Sequence, residues 1–284
     1  MRHLLIIFIS LISTFWATEY EIKLAHQMPK DKTLILAIQQ QVSTRMLYTV
    51  NDKIIQTLDN QTVSTLQTQA TITKTDDQGQ WTEIIIKPYA LKYTVNKLTK
   101  DFANLNELIK IERNSKKVEF TFVKKPKSDI AILKTFFKPL PKKPMNIFDS
   151  QKKIKKGDTW FPDKKDLKSF FEQKQKNMML TDKSDIKMDF KLKDVTDKHL
   201  VIDGNCLFKS IKPTDKRLHP LKENSAFSNV KINAQIPLAG SKAPFSMNTL
   251  FSIAYTGEFN DKNGKIGFTM VHKERQTKLI KEIE

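Results

Sequence analysis

One cysteine, Cys206, in 284 residues leaves no partner for an internal disulfide, so stability has to come from packing and strand pairing. The apolar run Ile202–Phe208 around it reads as a strand holding a buried thiol. Glycine is scarce as well: the seven residues supply neither a phosphate-binding loop nor a Gly-x-Ser-x-Gly elbow. The five histidines, His3, His26, His199, His219 and His272, lie far apart, and none has a second histidine or a cysteine two or four residues away. A metal centre is therefore not expected, and no cofactor is. Long apolar runs are absent except for Leu4–Trp16, which falls short of the roughly 20 residues a spanning helix needs.

That one run carries a compartment. Met-Arg-His, the apolar block and then Ala17-Thr18 have the cationic start, hydrophobic centre and small exit residue of a secretory signal peptide over residues 1–17. Phe15 and Trp16 sit awkwardly for cleavage after Ala17 and keep a retained anchor open as the alternative. With no cysteine after the block, N-terminal lipidation is not expected. The chain thus reads as exported, periplasmic or extracellular.

Alternation of apolar and polar residues dominates the rest. Met46, Tyr48 and Val50 alternate with Leu47, Thr49 and Asn51, while Leu66, Thr68, Ala70 and Ile72, and later Ile186, Met188, Phe190 and Leu192, alternate with polar neighbours. This is the period of half-buried strands. Asp76–Gly79 marks a turn into Trp81–Ile86, Pro88 is expected to end that ladder, and alternation resumes at Leu91. Leu250–Phe259, the turn Asn260–Gly264 and Ile266–Val271 read as the clearest hairpin. Asn104–Lys110 is open between short helix and loop, and Asp129–Lys138 and Lys165–Asn177 are the two helix candidates. The expected fold is mainly β, with antiparallel curved sheets of half-barrel or open-barrel type and one or two short helices. Residues 18–284 form the exported β-rich domain, read as two β halves, 18–123 and 177–284, joined by a basic segment, 124–176.

The basic segment is distinctive. It holds 16 lysines against 6 acids, more than half of the chain's +18 charge, interleaved with Phe136, Phe137, Trp160, Phe161, Phe170 and Phe171. In an exported protein such a mixture suits anionic envelope polymers or an anionic membrane surface, with peripheral contact, and no nucleic acid is expected. The residues proposed to carry it are Lys142, Lys143, Lys152, Lys153, Lys155, Lys156, Lys164 and Lys165. Its bland alternative is that lysine is simply the preferred surface residue and the aromatics are core. Two Ser-x-x-Lys spacings, Ser150–Lys153 and Ser184–Lys187, match a hydrolase pattern but are expected by chance in so lysine-rich a chain. No catalytic residue is assigned and no enzyme is expected.

Pro139-Leu140-Pro141-Lys142-Lys143-Pro144, followed by Ile154-Lys155-Lys156-Gly157-Asp158-Thr159-Trp160, resembles a bacterial family of secreted proteins and lipoproteins of unknown function. In that family a Gly-Asp-Thr-Trp phrase lies between two β-rich parts, and the late Tyr255–Gly264 hairpin extends the likeness. The resemblance implies export and β structure, and no activity. From the residues themselves, Gly157-Asp158 suits a tight turn and Trp160 plugs a sheet face. Two functions follow as expectations: a non-enzymatic envelope protein sheltering a lipid or other apolar ligand in its curved sheet, or a surface protein holding anionic polymers through its lysines.

Overall fold

A computed structural model describes residues 18–24, 29–77, 80–101, 107–122, 132–137, 145–174, 178–181, 183–214, 219–220, 226–262 and 264–283. The signal segment, Lys142 and Lys143 lie outside them. In chain order the strands are β1 (Thr33–Val50), β2 (Lys53–Thr75), β3 (Trp81–Val95), β4 (Leu98–Asp101), β5 (Ile109–Arg113) and β6 (Val118–Phe122). After helix α1 (Leu133–Phe136) and a 3-10 turn (Met145–Phe148) come β7 (Thr159–Trp160), helix α2 (Lys164–Lys174) and β8 (Met178–Met179). The remainder is β9 (Asp185–Val195), β10 (His199–Lys209), β11 (Lys212–Pro213), β12 (His219–Pro220), β13 (Ala226–Pro237), β14 (Phe245–Asp261) and β15 (Gly264–Glu282).

The fold is mainly β, antiparallel and curved without closing into a barrel. Thirteen strands make one sheet in the order β6-β5-β3-β2-β1-β15-β14-β13-β10-β9-β7, with β4 on β3 and β12 on β14. The first and last long strands, β1 and β15, pair from Leu34 opposite Glu282 to Thr49 opposite Gly267, so the early and late runs of strands share one ladder.

Directly opposed residues in an antiparallel pair point to the same face, so the registers define one inner face across all the central strands. At its two ends that face carries separate apolar cores. The larger joins Phe190, Leu192, Ile202, Phe208, Val230 and Ile232 of β9, β10 and β13 to Phe148, Trp160, Leu167 and Phe171 above them. Leu167 and Phe171 stand four residues apart and so share a face of α2, whose start is fixed by the Asp163 carboxylate accepting from Lys165 N at 2.7 Å. The backbone at Ile22 donates to Ser150 Oγ (2.9 Å) and that at Leu24 to Asp149 Oδ1 (2.7 Å), which seats these two apolar side chains in the same core. The second core sets Ile132, Leu133, Phe136 and Phe137 of the α1 region against Leu34, Leu36, Leu66, Ile84 and Ile109.

Local differences from the sequence expectation have physical causes. Pro88 does not end its strand. β3 runs through it, with Pro88 opposite Thr68 where the register shifts by one residue, and such an irregularity accommodates a missing N–H. Lys110 belongs to strand β5, because Ile109 and Ile111 pair onto Ile86 and Ile84 in the second core. Of the Asp129–Lys138 candidate only 132–137 are described, and Phe137 there is already extended. α2 falls within the Lys165–Asn177 candidate apart from Lys164 at its start. Trp160 is buried, donates from Nε1 to Phe148 O (2.9 Å) and packs at 5.6 Å from the Phe190 ring. Gly157, at φ +92°, makes the turn ahead of it.

Phe190 sits directly over Gly204, where a Cβ would lie 2.3 Å from its Cε1. Gly204→Ala should therefore force the ring out of its stack on Phe148 and cost about 1–3 kcal/mol, measurable by denaturant unfolding; an unchanged midpoint would contradict this packing.

Candidate functional site

Between the two cores the inner face changes character. On β1 the inward residues run Leu34, Leu36, Ile38, then Gln40, Val42, Thr44, Met46 and Tyr48. Opposite them on β15 stand Glu282, Ile280, Lys278, Gln276, Glu274, His272, Met270 and Phe268. β2 adds Ser64, Thr62 and Asn60, and β14 adds Thr249 and Phe251. The apolar rows at either end thus flank a polar patch on the four longest strands, with Val42, Met46, Met270 and Phe251 set among its polar groups. Most of these side chains are half-buried, in contrast to the closed packing on both sides.

Two hydrogen bonds tie the patch across the β1–β15 junction. Gln40 Nε2 donates to Glu274 Oε1 at 2.8 Å, and Thr44 Oγ1 lies 2.8 Å from His272 Nδ1. An ionised carboxylate only accepts, so the amide of Gln40 must turn its NH2 toward Glu274 and its oxygen away. That oxygen has no partner, although Gln40 is only 8% exposed. A buried carbonyl left unpaired costs about 1–3 kcal/mol, a cost that fold stability alone does not require. Burial pushes the His272 imidazole below its ordinary value against the opposing pull of Glu274. Lys278 is opposite Ile38 and Met247 and makes no hydrogen bond or ion pair among the described residues. Burial, and secondarily repulsion from Arg113, brings its ammonium down to about 8.

The sequence expectation pointed elsewhere. Lys152, Lys153, Lys155, Lys156, Lys164 and Lys165 are all exposed around β7 and the start of α2. Lys156 pairs with Asp194 at 2.6 Å and Lys155 approaches Glu19 at 3.8 Å. Of the interleaved aromatics Phe136, Phe137, Trp160 and Phe171 are buried, Phe170 packs against the larger core, and Phe161 is exposed. The serines of the two Ser-x-x-Lys spacings hold backbone: Ser150 Oγ accepts from Ile22 N, while Ser184 Oγ accepts from Thr181 N and donates to Ser210 O. Cys206 is fully buried in the larger core, and its thiol is pushed up to about 12 by burial.

Sequence reasoning missed the patch because it stopped the last strand at Val271. His272–Glu282 is rich in charge and lacks an obvious apolar stripe, yet β1 and β14 pair it on both sides. The signal present was alternation of the inward set His272, Glu274, Gln276 and Lys278 with the outward Lys273, Arg275, Thr277 and Leu279, polar on both faces and so unlike a half-buried strand. No known family, curated protein or solved structure matches the chain.

Lys278 gives this site a pH signature. Its folded value lies below the unfolded one near 10.5, so the unfolded chain holds the extra proton in the window between, and stability should rise from about pH 8 to 10.5. Lys278→Met should be more stable than the natural chain at pH 7 and should lack that part of the rise. Equal pH profiles for the two, followed by thermal unfolding, would contradict a desolvated ammonium.

Proposed function

We propose that the protein is an exported, non-enzymatic β protein of the bacterial envelope that shelters an amphipathic ligand on the inner face of its curved sheet. One observation carries the reading: the half-buried patch on β1 and β15, where Val42, Met46, Met270 and Phe251 surround hydrogen-bonding groups, one of them a buried carbonyl without a partner. Ligand sites are commonly built this way, from apolar walls with a few placed polar groups, and methionine pairs such as Met46 opposite Met270 adapt to flexible chains. Export, the expectation drawn from residues 1–17, puts membrane-derived amphiphiles within reach of such a face. Protein purified from its native host should retain an amphiphile visible by native mass spectrometry and extractable with organic solvent. Val42→Trp, which fills the patch, should lose it while keeping the β-rich circular dichroism spectrum. Empty natural protein that also fails to take up chain-bearing probes would overturn the proposal.

A second reading rests on the six exposed lysines 152, 153, 155, 156, 164 and 165 beside exposed Phe161. On it, that surface holds an anionic polymer or anionic lipid surface. Cosedimentation with anionic vesicles should then fall steeply between low and physiological salt. Joint replacement of Lys152, Lys153, Lys155 and Lys156 by Gln should weaken it, and unchanged cosedimentation would remove this reading.

A further inference from the structure

The orientation forced on Gln40 says what kind of head group the patch can hold. Its Oε1, turned away from Glu274, is an acceptor with no donor, and Gln40 is more than nine-tenths buried. The neighbouring Glu274 carboxylate has taken one hydrogen bond from Gln40, and a carboxylate accepts up to about four. Among the described residues no lysine or arginine pairs with Glu274, although the chain as a whole carries an excess of +18. An acceptor without a donor, Gln40 Oε1, therefore stands beside a half-buried carboxylate with accepting capacity to spare, the two side chains being linked by the 2.8 Å bond from Gln40 Nε2.

The surrounding groups do not fill the deficit. Ser64 and Gln276 flank Gln40 on β2 and β15, and Thr62, Val42 and Phe251 lie in the row of Glu274. Thr44 is engaged with His272 one row on. Lys278, the nearest cation by register, stands in the next row on the other side, opposite apolar Ile38 and Met247. The next inward pair beyond His272 is Met46 and Met270, followed by Tyr48 and Phe268. An apolar chain laid along that direction would place its end at Gln40 and Glu274.

We propose that the amphiphile of the preceding section, on which this inference rests, presents a hydrogen-bond-donating head, a hydroxyl or a primary ammonium, to Gln40 Oε1 and the Glu274 carboxylate. The donor supplies what the buried carbonyl lacks, and its tail lies against Met46 and Met270. An acid-headed chain would set one anion beside another at Glu274, and only Lys278, with Arg113 within electrostatic reach behind it, would favour it.

Displacement of the neutral fluorophore N-phenyl-1-naphthylamine from the full chain tests this with three probes of equal length, each below micelle formation: dodecanol, dodecylammonium and dodecanoate. The alcohol and the ammonium should displace the fluorophore at concentrations at least about tenfold below the carboxylate, the discrimination expected of one charge-assisted hydrogen bond. Glu274→Gln should abolish any advantage of ammonium over alcohol, which separates the two sources of the donor. Gln40→Leu should weaken both relative to dodecanoate. Equal displacement by all three heads, or a preference for dodecanoate, overturns the head assignment and leaves the amphiphile reading standing. A fluorophore that does not bind, with no displacement by any chain, overturns both.

Discussion

The pairing of β1 with β15 is the interaction on which everything else in this molecule depends. It joins residues at opposite ends of the chain, Leu34 with Glu282 and Thr49 with Gly267, in one uninterrupted antiparallel register. Each of the two strands has its other edge taken as well, β1 by β2 and β15 by β14. Both apolar cores reach this junction: one is built mainly on β9, β10 and β13 and takes in Phe268 of β15, while the other, built mainly on β2, β3 and β5, holds Leu34, Leu36 and Ile38 of β1 with Ile280 of β15. Backbone hydrogen bonding across the junction aligns the two cores on one face. Because loop closure over so long a separation comes before its reward, formation of this ladder is expected to be a slow part of folding.

Polar groups pointing inward at such a junction demand a reason. A sheet that needed only to be stable could carry apolar residues at Gln40, Glu274 and His272, as it does at Leu36 and Ile280 toward one end and at Met46 and Met270 toward the other. Instead it holds a glutamine carbonyl without a donor, an imidazole depressed by burial and a lysine opposite apolar residues. Outside the patch Glu107 Oε2, Ser228 Oγ, Asn229 Oδ1 and Tyr255 OH also lack partners among the described residues, but one buried charge is fully compensated. Glu83, nearly buried on the outer face, is held down at about 2 by hydrogen bonds from Lys74, Thr73 and Lys110. The contrast between a satisfied outer cluster and an unsatisfied inner patch supports the assignment of a ligand to the latter.

The strands with apolar-in, polar-out alternation were legible in the sequence, as Leu66–Ile72 and Ile186–Leu192 illustrate, and so was the antiparallel, curved character of the fold. The structural role of Trp160 was legible too, since a turn glycine and aspartate precede it. What could not be read was long-range register. Nothing local in Thr33–Val50 says that its neighbour lies beyond residue 264, and periodicity alone does not separate a polar-faced central strand such as His272–Glu282 from a solvated tail. Pro88 misled because a proline usually stops a ladder, whereas here a one-residue register shift absorbs it. The lysine belt stood out by composition. The patch on β1 and β15 is a product of pairing, and it exists only once the two strands have met.

Residue-resolved hydrogen exchange tests the continuity of the sheet most directly. If β1 and β15 are its central ladder, their backbone amides between Leu34 and Thr49 and between Gly267 and Glu282 should exchange together, at the slowest rate in the molecule and with the free energy of global unfolding. Exchange of β1, β2 and β3 as a unit while β10, β13 and β14 stay protected would show two independent halves and contradict the account.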